Sequence, residues 1–170
     1  IPQLGSGLVF PIVEEDIMCE PIDIPSHWPR LCGIDFGWDH PTAVVWIAWD
    51  RDVDIVYVYD CYAMRQETVP VHASAINARG RWIPVVWPMD GRQADKGSGK
   101  NLTEQYRKEK VNMAREHFSN PASQGMKEGT GGNSVEAGIM EMLTRMQTKR
   151  LKIFKNQGKL FEELRMYHRK

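Results

Sequence analysis

Between residues 31 and 63 the apolar positions fall into three short runs that read as strands. Residues 31–37 (LCGIDFG) form the first. Residues 42–50 (TAVVWIAWD) form the second, rich in β-branched and aromatic side chains. Residues 54–63 (DIVYVYDCYA) alternate, with Ile55, Tyr57 and Tyr59 on one face and Val56, Val58 and Asp60 on the other. Asp39-His40-Pro41 and Arg51-Asp52-Val53 have the composition of short turns, so the three runs predict an antiparallel meander. Beyond them the period lengthens. Residues 69–79 predict a helix with Pro70 in its first turn and Gly80 at its end. Residues 84–89 predict a fourth strand, and residues 102–118 a second helix. A third helix runs to about residue 150 from a cap at Asn133 or Ser134, with Val135, Ile139, Leu143 and Met146 on its apolar face. Residues 151–154 predict a fifth strand. Residues 158–169 predict a last amphipathic helix bearing Leu160, Phe161, Leu164 and Tyr167. The polar, glycine-containing stretches 91–101 and 119–133 read as loops. Residues 1–30, interrupted by Pro2, Pro11, Pro21, Pro25 and Pro29, read as a linker or docked arm ahead of a domain spanning 31–170.

A meander followed by strands reached through helical crossovers predicts an α/β fold: a ribonuclease H-like mixed β-sheet with helices on both faces. In that architecture the first and fourth strands are neighbours. The length, 170 residues, suits one domain, and six tryptophans supply large apolar surface for a core. No apolar run is long enough to span a bilayer, and no basic-then-apolar start resembles a signal peptide. Cys19, Cys32 and Cys61 match no zinc-ligand spacing and are expected to be free thiols, with Cys32 and Cys61 buried in strands.

Charge changes the picture more than composition does. The net charge is zero, yet residues 1–90 carry 5 basic against 13 acidic residues, a net of −8, and residues 91–170 carry 17 against 9, a net of +8. An acidic half beside a basic half suits a polyanion approached through metal ions. Within the acidic half, Asp35 ends the first strand ahead of Gly37, and Asp90 ends the fourth predicted strand ahead of Gly91. A lone carboxylate buried at such a position needs a partner. Two acidic strand ends on neighbouring strands supply hard oxygen ligands suited to Mg2+ or Mn2+, the donor set that two-metal phosphodiester hydrolysis requires. Read singly, each aspartate also fits a turn. Asp39, His40 and Glu67 are candidates to assist; a turn histidine and a helix-start charge are their plainer readings. The five histidines form no metal-ligand spacing. Gly97-Ser98-Gly99-Lys100-Asn101 fails as a phosphate loop, because Ala94 and Asn101 stand where glycine and Ser or Thr are needed. Arg92, Lys96, Lys100, Lys108, Lys110 and Lys152 are candidate contacts to a phosphate backbone, although solvated basic helix faces also explain them.

Gly33-Ile34-Asp35-Phe36-Gly37-Trp38, followed by His40-Pro41-Thr42-Ala43, resembles the opening motif of the C-terminal nuclease domain of large terminase subunits, the DNA-packaging motors of tailed bacteriophages. Gly5-Ser6-Gly7-Leu8-Val9-Phe10-Pro11 is similar to the linker that joins their ATPase and nuclease domains. Trp87-Pro88-Met89-Asp90-Gly91 is similar to their second acidic strand end. The resemblance implies an Mg/Mn-dependent endonuclease that cuts concatemeric viral double-stranded DNA, with Asp35 and Asp90 as ligands of two divalent cations. It also implies an ATPase domain before Ile1, a small terminase subunit and a portal protein as partners, no membrane, and work in the host cell cytoplasm. The family's third acidic ligand is expected beyond Lys170. The readings that compete are a junction resolvase or transposase-like nuclease on the same fold, a sugar-kinase or actin-like ATPase half, and a non-catalytic DNA-docking module.

Overall fold

A computed structural model describes residues 7–89, 101–118 and 135–168. Helix α1 (Glu14–Ile17) and strand β1 (Met18–Cys19) come first, followed by β2 (Arg30–Asp35), β3 (Thr42–Asp50) and β4 (Ile55–Met64). Then come α2 (Val69–Ala78), β5 (Val85–Val86), α3 (Leu102–Lys108), α4 (Val135–Gln147), β6 (Leu151–Phe154) and α5 (Gly158–Met166). The strands form one sheet in the order β1-β6-β4-β3-β2-β5. β5 runs parallel to β2, with Cys32 opposite Val85 and Gly33 opposite Val86. β6 is parallel to β4, and β1 is parallel to β6. The connections flanking β3, six and four residues long, leave no length for a crossover, so β2, β3 and β4 form an antiparallel meander. The sheet is the mixed, ribonuclease H-like sheet that the pattern predicts.

Packing divides the chain into two compact units. The first comprises Ile1–Pro29, Ala48–Asp60 and Ser134–Lys170. Its core gathers Ile17, Val58, Leu151, Ile153 and Phe154 with Ile139 and Met146 of α4 and Phe161 of α5, all buried. These helix residues are the apolar stripes that the periodicity marks. Asp54, in the β3–β4 turn at φ 55°, ties this unit together. It accepts from Trp49 Nε1 at 2.9 Å, from Arg145 at 3.2 Å and from Arg150 Nη1 at 2.9 Å. The Trp49 bond first, then the bond from Arg150, holds its carboxyl below the usual range.

The second unit comprises Arg30–Ile47 and Cys61–Asn133. Cys32 and Ile34 of β2 alternate into the core, as do Thr42, Val44 and Trp46 of β3. Also buried in this unit are Ala73 and Ile76 of α2, and Ile83, Val85 and Trp87 around β5. Arg79 lies 4.5 Å over the Trp46 ring, so a cation caps the buried indole. All three cysteines are free. Burial pushes the Cys32 thiol up to about 12, which keeps it protonated and unreactive; Cys61 is half-buried rather than buried.

Two expectations change, and a third resolves. The predicted helix over residues 102–118 stops at Lys108, because Lys110 turns left-handed at φ 65° and the chain then joins β5 instead. Val85 N–H donates to Asn112 O at 2.9 Å, Ala114 N–H donates to Val85 O at 2.8 Å, and Trp87 Nε1 donates to Ala114 O at 2.7 Å. The predicted strand 84–89 narrows to Val85–Val86, since Pro84 and Pro88 have no N–H to give a ladder. Within residues 1–30, β1 joins the sheet beside β6, and Val9 N–H donates to Tyr167 O at 3.1 Å.

Candidate functional site

The second unit holds Asp35, the last residue of β2. Alternation turns Cys32 and Ile34 inward and leaves Asp35 exposed, so this carboxylate meets solvent and the expectation of a buried charge is corrected. The Gly33–Val86 register carries β2 and β5 in the same direction. Both strands therefore finish at the same end of the sheet, and Met89 comes three residues after Val86. Asp90 follows Met89 in sequence but lies outside the described residues, as do Arg92, Lys96 and Lys100.

The turn after Asp35 is fixed by contacts that begin one residue past it. Gly37 N–H donates to Thr42 Oγ1 at 3.1 Å, and Thr42 Oγ1 donates back to Gly37 O at 2.9 Å. Thr42 is 2 % exposed and Gly37 half-buried, so this closed pair is shielded from water on the threonine side. A Cβ on Gly37 would stand 2.4 Å from His40 O and 2.7 Å from Pro41 O, so the turn closes only around glycine. Buried Tyr106 of α3 supports the same place. Its hydroxyl hydrogen-bonds the Thr42 side chain, and its ring lies 5.5 Å from that of Phe36. From the other side, Gln66 N–H donates to Trp38 O at 3.1 Å. Gln66 holds φ 52°, a left-handed conformation that strains a residue with a side chain.

Asp39 and His40 stand exposed in this turn, near Asp35 in sequence, as the spacing implied. Glu67 lies between β4 and α2, half-buried. Its charge acts on Tyr62 and His72, a pair that no spacing in the chain marks. Tyr62 Oη and His72 Nδ1 are 2.9 Å apart. Burial lowers the His72 pKa and Glu67 opposes that shift. Burial raises the Tyr62 pKa and Glu67 adds to that shift. Lys108 and Lys110 are exposed at the end of α3. In the first unit Lys152 donates its ammonium to Asp16 O at 2.7 Å, a bond that fastens α1 to β6. Among the described residues no group of three or more His, Cys, Asp or Glu is arranged to hold a metal ion. The donor chemistry at the β2 end, an exposed hard-oxygen ligand, nevertheless fits a hard divalent cation.

Thr42 is the residue that sequence reading missed here, because a strand-initial threonine carries no mark of a bond reaching back five residues. Thr42→Val keeps the shape and strands both polar groups of Gly37. It is expected to cost about 2 kcal/mol in urea denaturation, against less than about 1 kcal/mol for Thr42→Ser. Equal losses would show that the methyl group, not the hydroxyl, matters.

A mixed sheet with an acidic strand end beside its parallel neighbour is the architecture of ribonuclease H-like domains. Residues 32–170 match the family model of the terminase RNaseH-like domain. The chain belongs to that family. It is similar to the large terminase subunits of Enterobacteria phage LP7 and Salmonella phage P22, each 38% identical over 169 residues. That alignment covers 99% of this chain but 34% and 32% of those proteins, so the chain spans about a third of their length. Among solved structures it resembles the P22 large terminase nuclease domain with a TM-score of 0.83 at 38% identity, covering 98% of this chain and 82% of that one. The large terminase nuclease domain of bacteriophage SPP1, solved with bound Mn, has a TM-score of 0.56 at 15% identity, covering 90% and 79%; that likeness concerns the fold alone. Among the described residues no helix is long and apolar enough to cross a membrane.

Proposed function

We propose that this chain is the nuclease part of a viral DNA-packaging motor, an endonuclease that hydrolyses double-stranded DNA with two divalent cations, Mg2+ or Mn2+. The observation that carries the reading is Asp35, exposed at the end of β2 on a turn held rigid by Gly37 and Thr42, next to parallel β5. Asp35 and Asp90 would hold the ions, and Asp39 and His40 lie close enough in sequence to assist. When bound, such ions activate water and stabilise the leaving oxygen. The protein's own part is to hold Asp35 exposed at the end of β2, where a phosphodiester reaches it without crossing the core. Exposed Lys108 and Lys110, with Arg92, Lys96 and Lys100, would hold the phosphate backbone without reading sequence. On this reading a preceding ATPase domain, a small terminase subunit and a portal protein are the partners, and the host cell cytoplasm is the place of work. Residues 1–30 would join that ATPase domain to a nuclease domain beginning at 31.

Metal removal tests the reading. Supercoiled plasmid is expected to be nicked and linearised by the purified protein in Mn2+ or Mg2+. EDTA should stop cleavage, and excess Mn2+ should restore it. Cleavage that survives EDTA would exclude the proposed chemistry, and binding without cleavage in every metal would favour a docking module. Strong preference for branched over linear DNA would favour a junction resolvase.

A further inference from the structure

Trp38 is 58% exposed, three residues past Asp35, on a turn too tight to admit a Cβ at Gly37. A large indole left in water is an unspent binding surface, and this one is mounted on a fixed backbone. Gly37 is locked to Thr42 on one side. The Trp38 carbonyl is held on the other by the N–H of left-handed Gln66, whose neighbour Arg65 is an exposed cation. A non-glycine residue held left-handed is strained, and here that strained residue tethers the backbone beneath an indole that is itself largely exposed.

We infer that Trp38 is a DNA-contacting residue, packing its indole into a groove of the duplex against deoxyribose and base edges beside the phosphate presented to Asp35. The inference rests on the nuclease reading proposed above and adds to it a non-ionic contact at the cleavage end. Three trans peptides span at most about 11 Å, and base pairs rise about 3.4 Å along the duplex. The two Cα atoms are thus at most about three base pairs apart, before the reach of either side chain is added, and the indole faces the same stretch of duplex as the carboxylate. Apolar wedges and aromatic faces contact sugars and bases with little regard to sequence, as do the lysine contacts to the phosphate backbone proposed above. Arg65 adds a cation beside the same turn, of the sign a phosphate requires.

Trp82 provides the contrast. It is 60% exposed, but it lies before β5 and 5.6 Å beneath the Arg30 guanidinium at the start of β2. Because β2 and β5 are parallel, this tryptophan stands at the opposite end of the pair from Asp35.

The test measures duplex binding in EDTA by fluorescence anisotropy and plasmid cleavage in Mn2+. Trp38→Ala is expected to raise the Kd, and the KM for DNA, about tenfold, with kcat within about threefold of the parent. Trp38→Phe should recover most of the affinity, and Trp82→Ala should stay within about twofold. DNA should quench tryptophan emission in the parent and quench it measurably less in Trp38→Phe, a readout that holds even where the alanine variant is poorly folded. Unchanged binding by Trp38→Ala, or an equal loss in Trp82→Ala, overturns the inference; so does unchanged DNA binding accompanied by lost association with a protein partner. Loss of affinity in Trp38→Ala when no protein variant cleaves, the parent included, upholds the contact and removes the nuclease reading instead. A parent protein that binds no DNA overturns both.

Discussion

Asp35→Asn is expected to abolish Mn2+- and Mg2+-dependent plasmid cleavage, with a loss of at least about a thousandfold, while the fold persists. The substitution keeps the size and planarity of the side chain and removes its charge, which is what a hard divalent cation binds. Asp35 is exposed, and exposed substitutions usually change stability by no more than about 0.5 kcal/mol, so the urea midpoint should hardly move. Metal-free DNA affinity should hold or rise slightly, since one negative charge facing the phosphates is gone. Asp90→Asn is expected to match it in cleavage. Cleavage retained by both variants would refute the metal role of the two carboxylates.

Gly37→Ala has the largest expected structural effect. The atoms that its Cβ would meet, His40 O at 2.4 Å, Pro41 O at 2.7 Å and His40 C at 3.0 Å, are all backbone. None can rotate aside as the end of a flexible side chain would. Relief requires the turn to open, which breaks the paired bonds to Thr42 and moves Trp38 and Asp35 with it. A loss of about 3 kcal/mol is expected, equal to a fall in Tm of roughly 10 °C, together with weaker cleavage even where the protein remains folded. A native Tm with native cleavage would mean that the turn takes another path in solution.

Strands defined by their own pattern were legible in the sequence. β3 and β6 begin and end where the apolar runs do; in β3 the β-branched and aromatic residues, set off by the Pro41 and Arg51-Asp52 turns, leave little choice. Elements that exist through a distant partner were not. Met18-Cys19 becomes a strand because β6 pairs with it, and nothing in two residues announces that. Residues 109–118 have helix-forming composition, but Val85 and Trp87 recruit Asn112 and Ala114 by hydrogen bonding, and tertiary pairing overrides propensity. At the site, Asp35 was readable as an acid ending an apolar run before a glycine. Its exposure was not, since either face of β2 was open to it until the sheet fixed which one is inward. Thr42 and Tyr106 escaped notice because their roles rest on bonds made to the turn, not on their own neighbours in sequence.

The short β1 has a consequence for solubility. β6 is only four residues long, and it lies between β4 and β1. Strip away residues 18 and 19 and its outer row of N–H and C=O groups becomes an open template, of the kind through which sheets of separate molecules join. The prolines and acids around that strand then serve a second purpose. Glu14, Glu15 and Asp16 on one side and Pro21 on the other frame an edge that a foreign strand finds too short and too charged to extend. Whatever this segment joins, two of its residues are the selvedge of the sheet.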